Sequence, residues 1–159
     1  MVFPWVILTF ALSYTLSLGV EFVAKRRGYI AKASYRRKKV ESVPLLGGIA
    51  IFMAASVGLL MVDRGVGPIL ILSALPLFIG GIIDDLAEIK GRTKLMAQLL
   101  SATLFITLSG KESLLLHDLI PHTWAAILVT TAFLVGTTNS FNLIDGMDGF
   151  ATTTGVILW

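Results

Sequence analysis

The sequence predicts an all-α fold: a polytopic transmembrane helical bundle of five full spans plus the start of a sixth, with the N-terminus outside. Three observations carry that prediction. Hydrophobic residues make up 55% of the chain and charged residues only 14%, whereas soluble domains carry about 25% charged residues, and the mean hydropathy is +0.85. The apolar residues run uninterrupted at bilayer length instead of alternating with polar faces. The positive charges crowd into the segments on one side of those runs. No cysteine is present, which excludes disulfides and thiolate metal sites but says nothing of compartment. There is no internal repeat or low-complexity segment, and the loops are too short for a second domain, so residues 1–159 form one transmembrane domain.

Runs of roughly 15–21 apolar residues, set against a hydrocarbon core of about 30 Å, place the spans at Phe3–Val23, Pro44–Val62, Gly67–Ile83, Leu95–Ser109 and Leu119–Thr138. The first is no cleavable signal peptide: no basic residue precedes it, and it is too long for an h-region. The second opens on Val43-Pro44-Leu45-Leu46-Gly47-Gly48, where Pro suits a helix start and paired glycines suggest close helix packing. The fourth is short, and needs Lys94 to snorkel or the bilayer to thin. A sixth apolar run begins near Phe150 and the chain stops inside it at Trp159, so the expectation is the N-terminal portion of something longer.

Orientation follows from charge. Lys25, Arg26, Arg27, Lys32, Arg36, Arg37, Lys38 and Lys39 fall in one loop, which the positive-inside rule makes cytosolic. Alternation then leaves only Arg64 and Lys111, of thirteen Lys and Arg, on the outer side. Trp5 and Trp124 sit near outer boundaries, as interfacial aromatics should. His117 and His122 lie outside too, with Asp118 as the acidic residue in reach, and read as solvated loop residues.

Two constellations on the inner side point to chemistry. The third span ends in Gly80-Gly81-Ile82-Ile83-Asp84-Asp85, followed by Glu88, Lys90, Arg92 and Lys94. Adjacent carboxylates at a helix C-terminus oppose the helix dipole, so a divalent cation or the neighbouring basic residues must compensate. Glu88 and Lys90 read as solvated loop residues, whereas Asp84 and Asp85, at the apolar boundary, read as functional. The second constellation is Asn139-Ser140-Phe141-Asn142-Leu143-Ile144-Asp145-Gly146-Met147-Asp148-Gly149. Asn139, Asn142, Asp145 and Asp148 recur every third residue, and each step of three falls about 60° short of a turn. Neighbouring members share a face, but the first and last converge only if the helix breaks, which Gly146 and Gly149 allow. Broken backbone at membrane depth is tolerated where it lines a cavity, and the freed N–H groups suit a phosphate or a base. Hard oxygen donors without cysteine suit Mg²⁺ rather than zinc, and Mg²⁺ favours one or two carboxylates plus substrate phosphates. The basic first loop could attract a phosphorylated lipid or nucleotide, although its role as a topology signal suffices to explain it.

VPLLGGIAIF, GIIDDLAEIKGRTKLMAQ and NSFNLIDGMDGFA, in this order, resemble the polyprenyl-phosphate N-acetylhexosamine-1-phosphate transferases (glycosyltransferase family 4 type). The resemblance covers about residues 35–159, and VPLLGG tilts it toward the undecaprenyl-phosphate GlcNAc-1-phosphate transferase branch. It implies that a lipid phosphate oxygen attacks the β-phosphorus of a UDP-N-acetylhexosamine at the cytosolic face of the inner membrane. UMP leaves, and a polyprenyl-diphosphate sugar forms to initiate cell-wall or surface polysaccharide synthesis. Asp84 and Asp85 match the family's aspartate pair, implied in catalysis and in Mg²⁺ (or Mn²⁺) and diphosphate handling, with a further metal ligand expected beyond Trp159. Asn142, Asp145 and Asp148 match the block that lines the nucleotide site, with Asn139 beside them. Lys39 stands where related members carry a histidine and can bind phosphate, with a proton role doubtful. The implied partners are the sugar nucleotide, undecaprenyl phosphate and membrane lipid, with a homodimer as the candidate assembly and no nucleic acid. Family members are about twice this length, so the 159 residues alone are not expected to turn over.

Four alternatives make different demands. A phospho-MurNAc-pentapeptide translocase activity would share the reaction type and change the sugar. A CDP-alcohol phosphotransferase needs Ala-Arg soon after Asp-Gly, where this chain has Phe150-Ala151. A DDxxD prenyltransferase leaves the Asn/Asp block unexplained. An ion-coupled transporter would hold its carboxylates near mid-bilayer, whereas these cluster at one face.

Overall fold

The computed structural model describes residues 3–29, 46–87 and 89–144, with side chains up to 141. Five α-helices make up most of these residues: α1 (Phe3–Arg27), α2 (Gly47–Val62), α3 (Val66–Ala87), α4 (Gly91–Ser109) and α5 (Thr123–Ile144), with no strand among the described residues. Each helix packs on the next in sequence. Three-residue connections join α2 to α3 and α3 to α4, and connections that short produce antiparallel neighbours. The chain is thus a helical membrane bundle. α1, α3 and α5 are long and apolar enough to cross a membrane, while α2 is a shorter apolar helix of 16 residues. α4 has 19 residues, with Arg92 and Lys94 near its start. The apolar run from Phe150 lies outside the described residues.

The helices depart from the apolar runs at their ends, because backbone hydrogen bonding continues beyond the last apolar side chain. α3 carries Asp84 and Asp85 in its last turn, and α5 continues through Asn139 and Asn142 to Ile144. α4 starts four residues ahead of Leu95, behind an extended Lys90. α2 starts at Gly47 because Leu46 adopts a left-handed φ of 73°; Pro44 lies outside the described residues. α5 starts at Thr123 rather than Leu119. Residues 110–122 form a loop with left-handed turns at Gly110 and Leu116 and a 3-10 turn at Lys111–Ser113. That loop is pinned by buried Leu114 and by the Leu115 N–H, which donates to Thr130 Oγ1 at 2.9 Å.

Small residues form the helix interfaces. The buried apolar side chains are mainly Ala24, Ala50, Ala54, Ala102 and Ala126, while Leu, Ile, Val, Phe and Met face outward in large numbers. This inverts a soluble core and suits helices that associate by close approach in lipid. A Cβ on Gly58 would stand 2.5 Å from Thr9 Oγ1, and one on Gly67 would stand 2.9 Å from the Leu59 carbonyl oxygen. The paired Gly47 and Gly48, expected to mark close packing, instead face open space. Pro76 lies inside α3; one turn before it, the Ser73 carbonyl accepts a hydrogen bond from Ser101 Oγ of α4.

Candidate active site at one end of the bundle

The alternating helix directions bring the end of α1, the start of α2, the α3–α4 turn and the end of α5 to one pole of the bundle. Trp5, Trp124, Arg64 and Lys111 mark the other. At the first pole Asp84 and Lys94 meet, Lys94 Nζ lying 2.6 Å from Asp84 Oδ2. The other carboxylate oxygen accepts the Ile89 N–H at 3.0 Å. Asp84 stands at the C-terminus of α3 and Lys94 near the N-terminus of α4, so each charge is disfavoured by its own helix dipole. Their pairing offsets both penalties, and the basic neighbour foreseen as compensation is thereby identified as Lys94.

Adjacent residues on a helix point about 100° apart, and here the angle sends the two aspartates into different clefts. Asp84 lines a cleft of about 250 Å³ with Lys94, Gln98, Thr138, Gly80 and Gly81. Asp85 lies on an apolar groove of about 520 Å³ between α2 and α3, with Gly48, Phe52, Leu77 and Phe78 among its walls. Phe52 and Phe78 stack there at 4.1 Å. Asp85 Oδ2 accepts the Leu46 N–H at 3.2 Å, which holds the left-handed entry to α2 against the end of α3. Gly81 and Leu77 line both clefts, and a Cβ on Gly81 would meet nothing within 4 Å.

Asn139 joins the first cleft through α4: Gln98 Nε2 donates to Asn139 Oδ1 at 3.0 Å. Gln98 is 7% exposed, and its Oε1 has no hydrogen-bond partner among the described residues. Asn142 follows Asn139 on unbroken helix, by backbone alone. Lys39, Asp145 and Asp148, with the glycines expected to break the helix, lie outside the described residues. Among the described residues no three His, Asp or Glu side chains gather as a metal site. At the opposite pole His117 Nε2 pairs with Asp118 Oδ1 at 3.0 Å, and His122 stacks beside Trp124 at 6.1 Å.

Sequence reasoning missed Gln98. The signal was available: Lys94 and Gln98 are spaced i, i+4 and so share a face, and a glutamine inside an apolar run needs a partner. What the site can do chemically follows from its parts. A carboxylate, an ammonium and the Gln98 amide line a half-open cleft, with the Asn139 amide bonded behind Gln98, a set suited to holding a polar, anionic ligand beside an apolar groove.

Comparison with known proteins identifies the family. The chain is 29% identical over 151 residues to the probable undecaprenyl-phosphate N-acetylglucosaminyl 1-phosphate transferase of Bacillus subtilis, covering 87% of this chain and 40% of the relative. It is 32% identical over 138 residues to the undecaprenyl-phosphate alpha-N-acetylglucosaminyl 1-phosphate transferase of Thermotoga maritima, covering 87% of this chain and 44% of the relative. It is 28% identical over 163 residues to the putative UDP-N-acetylglucosamine--dolichyl-phosphate N-acetylglucosaminephosphotransferase of Saccharolobus solfataricus, covering 96% and 50%. The chain therefore spans half or less of the length of these curated relatives. No solved structure matches it. The family model for glycosyl transferase family 4 matches residues 67–159, which take in α3 from its second residue, α4, α5 and the lining of the Asp84–Lys94 cleft, and the chain belongs to that family.

Proposed function

We propose that this chain forms part of an enzyme that transfers a HexNAc-1-phosphate, most simply GlcNAc-1-phosphate, from a UDP-sugar to undecaprenyl phosphate at the cytosolic face of the inner membrane. The observation that carries the reading is the Asp84–Lys94 pair, set in a cleft shared with Gln98, which is tied to Asn139, and one residue away from the apolar groove of Asp85. The relatives' names supply the substrate class.

In the proposed reaction an oxygen of the lipid phosphate forms a bond to the β-phosphorus of the sugar nucleotide. The bond from that phosphorus to the bridging oxygen breaks, and UMP departs with the electron pair. Such a transfer needs positioning and charge stabilisation more than covalent participation. Lys94 supplies a cation for non-bridging phosphate oxygens, and Asp84 fixes the direction of its ammonium. Asn139 offers amide hydrogen bonds to neutral parts of the nucleotide sugar. The donor set fits Mg²⁺, because Asp84 and Asp85 provide hard carboxylate oxygens and the chain has no thiolate. Because the two aspartates face different clefts, each would offer the ion a single carboxylate rather than chelate it together, and the ion's contribution when bound would be neutralisation of diphosphate charge.

The test is Mg²⁺-dependent UMP release from UDP-GlcNAc and undecaprenyl phosphate by membranes carrying the full-length protein. The expected result is UMP formation that stops when either substrate or the metal is withheld. Absence of release with any UDP-N-acetylhexosamine would overturn the reading. Asp85→Asn and Asp148→Asn are expected to abolish turnover while membrane insertion stays intact, and wild-type rates in either would show the site to be misassigned.

A further inference from the structure

Gln98 holds a position that neither the ion pair nor the packing of α4 explains. It lies one helical turn below Lys94 on the same face of α4. It forms the floor of the Asp84–Lys94 cleft and the ceiling of an apolar cavity of about 310 Å³ lined by Leu70, Phe105 and Leu134. A primary amide offers two N–H donors and an oxygen with two lone pairs. One donor goes to Asn139 Oδ1. The oxygen is buried and accepts nothing from the described residues. Leaving a buried acceptor open costs stability, whereas methionine or leucine at this position would fill the same volume in an apolar helix without that cost.

We infer that Gln98 is a substrate-binding residue of this cleft, with Nε2 fixing Asn139 and Oε1 accepting a hydrogen bond from an N–H or O–H of the bound sugar nucleotide. The inference rests on the proposed transferase reading. It makes Gln98 a specificity determinant as well as a strut between α4 and α5, since a buried acceptor rejects a ligand that brings no donor.

Two variants of the full-length protein separate the roles. Gln98→Met keeps the volume and removes both hydrogen-bonding ends. It is expected to raise KM for UDP-GlcNAc about tenfold, and Kd for UDP-GlcNAc in Mg²⁺ by a similar factor, with a smaller change in kcat. The exchange Gln98→Asn with Asn139→Gln re-forms an amide bridge of the same total length but withdraws the acceptor by one methylene. Its melting temperature in detergent is expected to return toward wild type while KM stays raised. A wild-type KM in Gln98→Met would show that solvent satisfies Oε1 and overturn the binding role, as would an exchange variant whose KM and melting temperature both return to wild type. If Gln98→Met fails to insert, the exchange variant decides against Asn139→Gln alone: a KM above that of the single variant supports the Gln98 role, and an equal KM overturns it. Wild-type protein that neither binds UDP-GlcNAc nor releases UMP would overturn the transferase reading and this inference together, whereas an active wild type with unaffected variants would overturn this inference only.

Discussion

Lys94 is the side chain on which the site's electrostatics turn. Its first partner is Asp84 at 2.6 Å, and both groups are about one-third exposed. An exposed ion pair contributes little to stability, so the consequence of removing it should appear in activity. Lys94→Met is expected to lower UMP release by about 10²-fold or more, the scale seen when a transition-state donor is deleted, with insertion unchanged. Lys94→Arg keeps the charge but not the compact ammonium, and should fall between. Steady-state rates on equal amounts of inserted protein measure both. The aspartates and Asn139 were legible in the sequence because charged and amide groups at an apolar boundary are costly without a purpose. That Asp84 and Asp85 face different clefts was not legible as a pair motif, although the 100° step between neighbours requires their side chains to diverge. Gln98 was passed over because one amide in an apolar run resembles a packing detail until its unpaired oxygen is seen.

At the scale of elements, two kinds of helix junction carry testable consequences. α3 begins at a cap: Asp63 Oδ1 accepts the N–H groups of Gly65 at 2.7 Å and Val66 at 3.0 Å. Those bonds, Val66 foremost, hold its carboxyl below the usual value of 3.8. A carboxyl that is more acidic when folded stabilises above its unfolded pKa and loses that contribution as pH falls through the folded one. Asp63→Ala should therefore lower the melting temperature at pH 7, and the gap from wild type should close as pH drops below about 4, measured by thermal unfolding in detergent. The second kind is glycine contact. Gly58→Ala would meet the Thr9 hydroxyl, and adding Thr9→Ala should restore stability because the Thr9 Cβ alone lies at an ordinary 3.4 Å. Gly67→Ala would meet the Leu59 backbone, and no side-chain change can relieve that; a loss of about 1–3 kcal/mol is expected. Helix existence and order were readable from apolar runs. Helix ends were not, because a helix continues wherever backbone hydrogen bonds are satisfied, which carries α3 past Asp85 and α5 past Asn139.

Across the described helices, antiparallel neighbours divide the charges between two poles, and the absence of cysteine from these 159 residues lets single introduced cysteines report that division. Arg64→Cys and Lys111→Cys are expected to react with an impermeant thiol reagent added outside intact cells. Lys90→Cys should react only after permeabilisation. The opposite pattern would invert the topology and overturn the proposed cytosolic placement of the site. The sequence made the polarity of the bundle readable, since charge asymmetry is a composition property, but not the sequential packing of each helix on the next, which depends on where small residues allow approach. One consequence of that packing concerns α3. With Leu77 and Gly81 shared by the cleft on one side and the groove on the other, the helix is a septum about 10 Å thick. Two ligands occupying its two sides can touch only over its rim, where Asp84 and Asp85 stand back to back. The septum thus acts as a turnstile for geometry: whatever fills the two compartments, encounter is confined to one edge, at one depth.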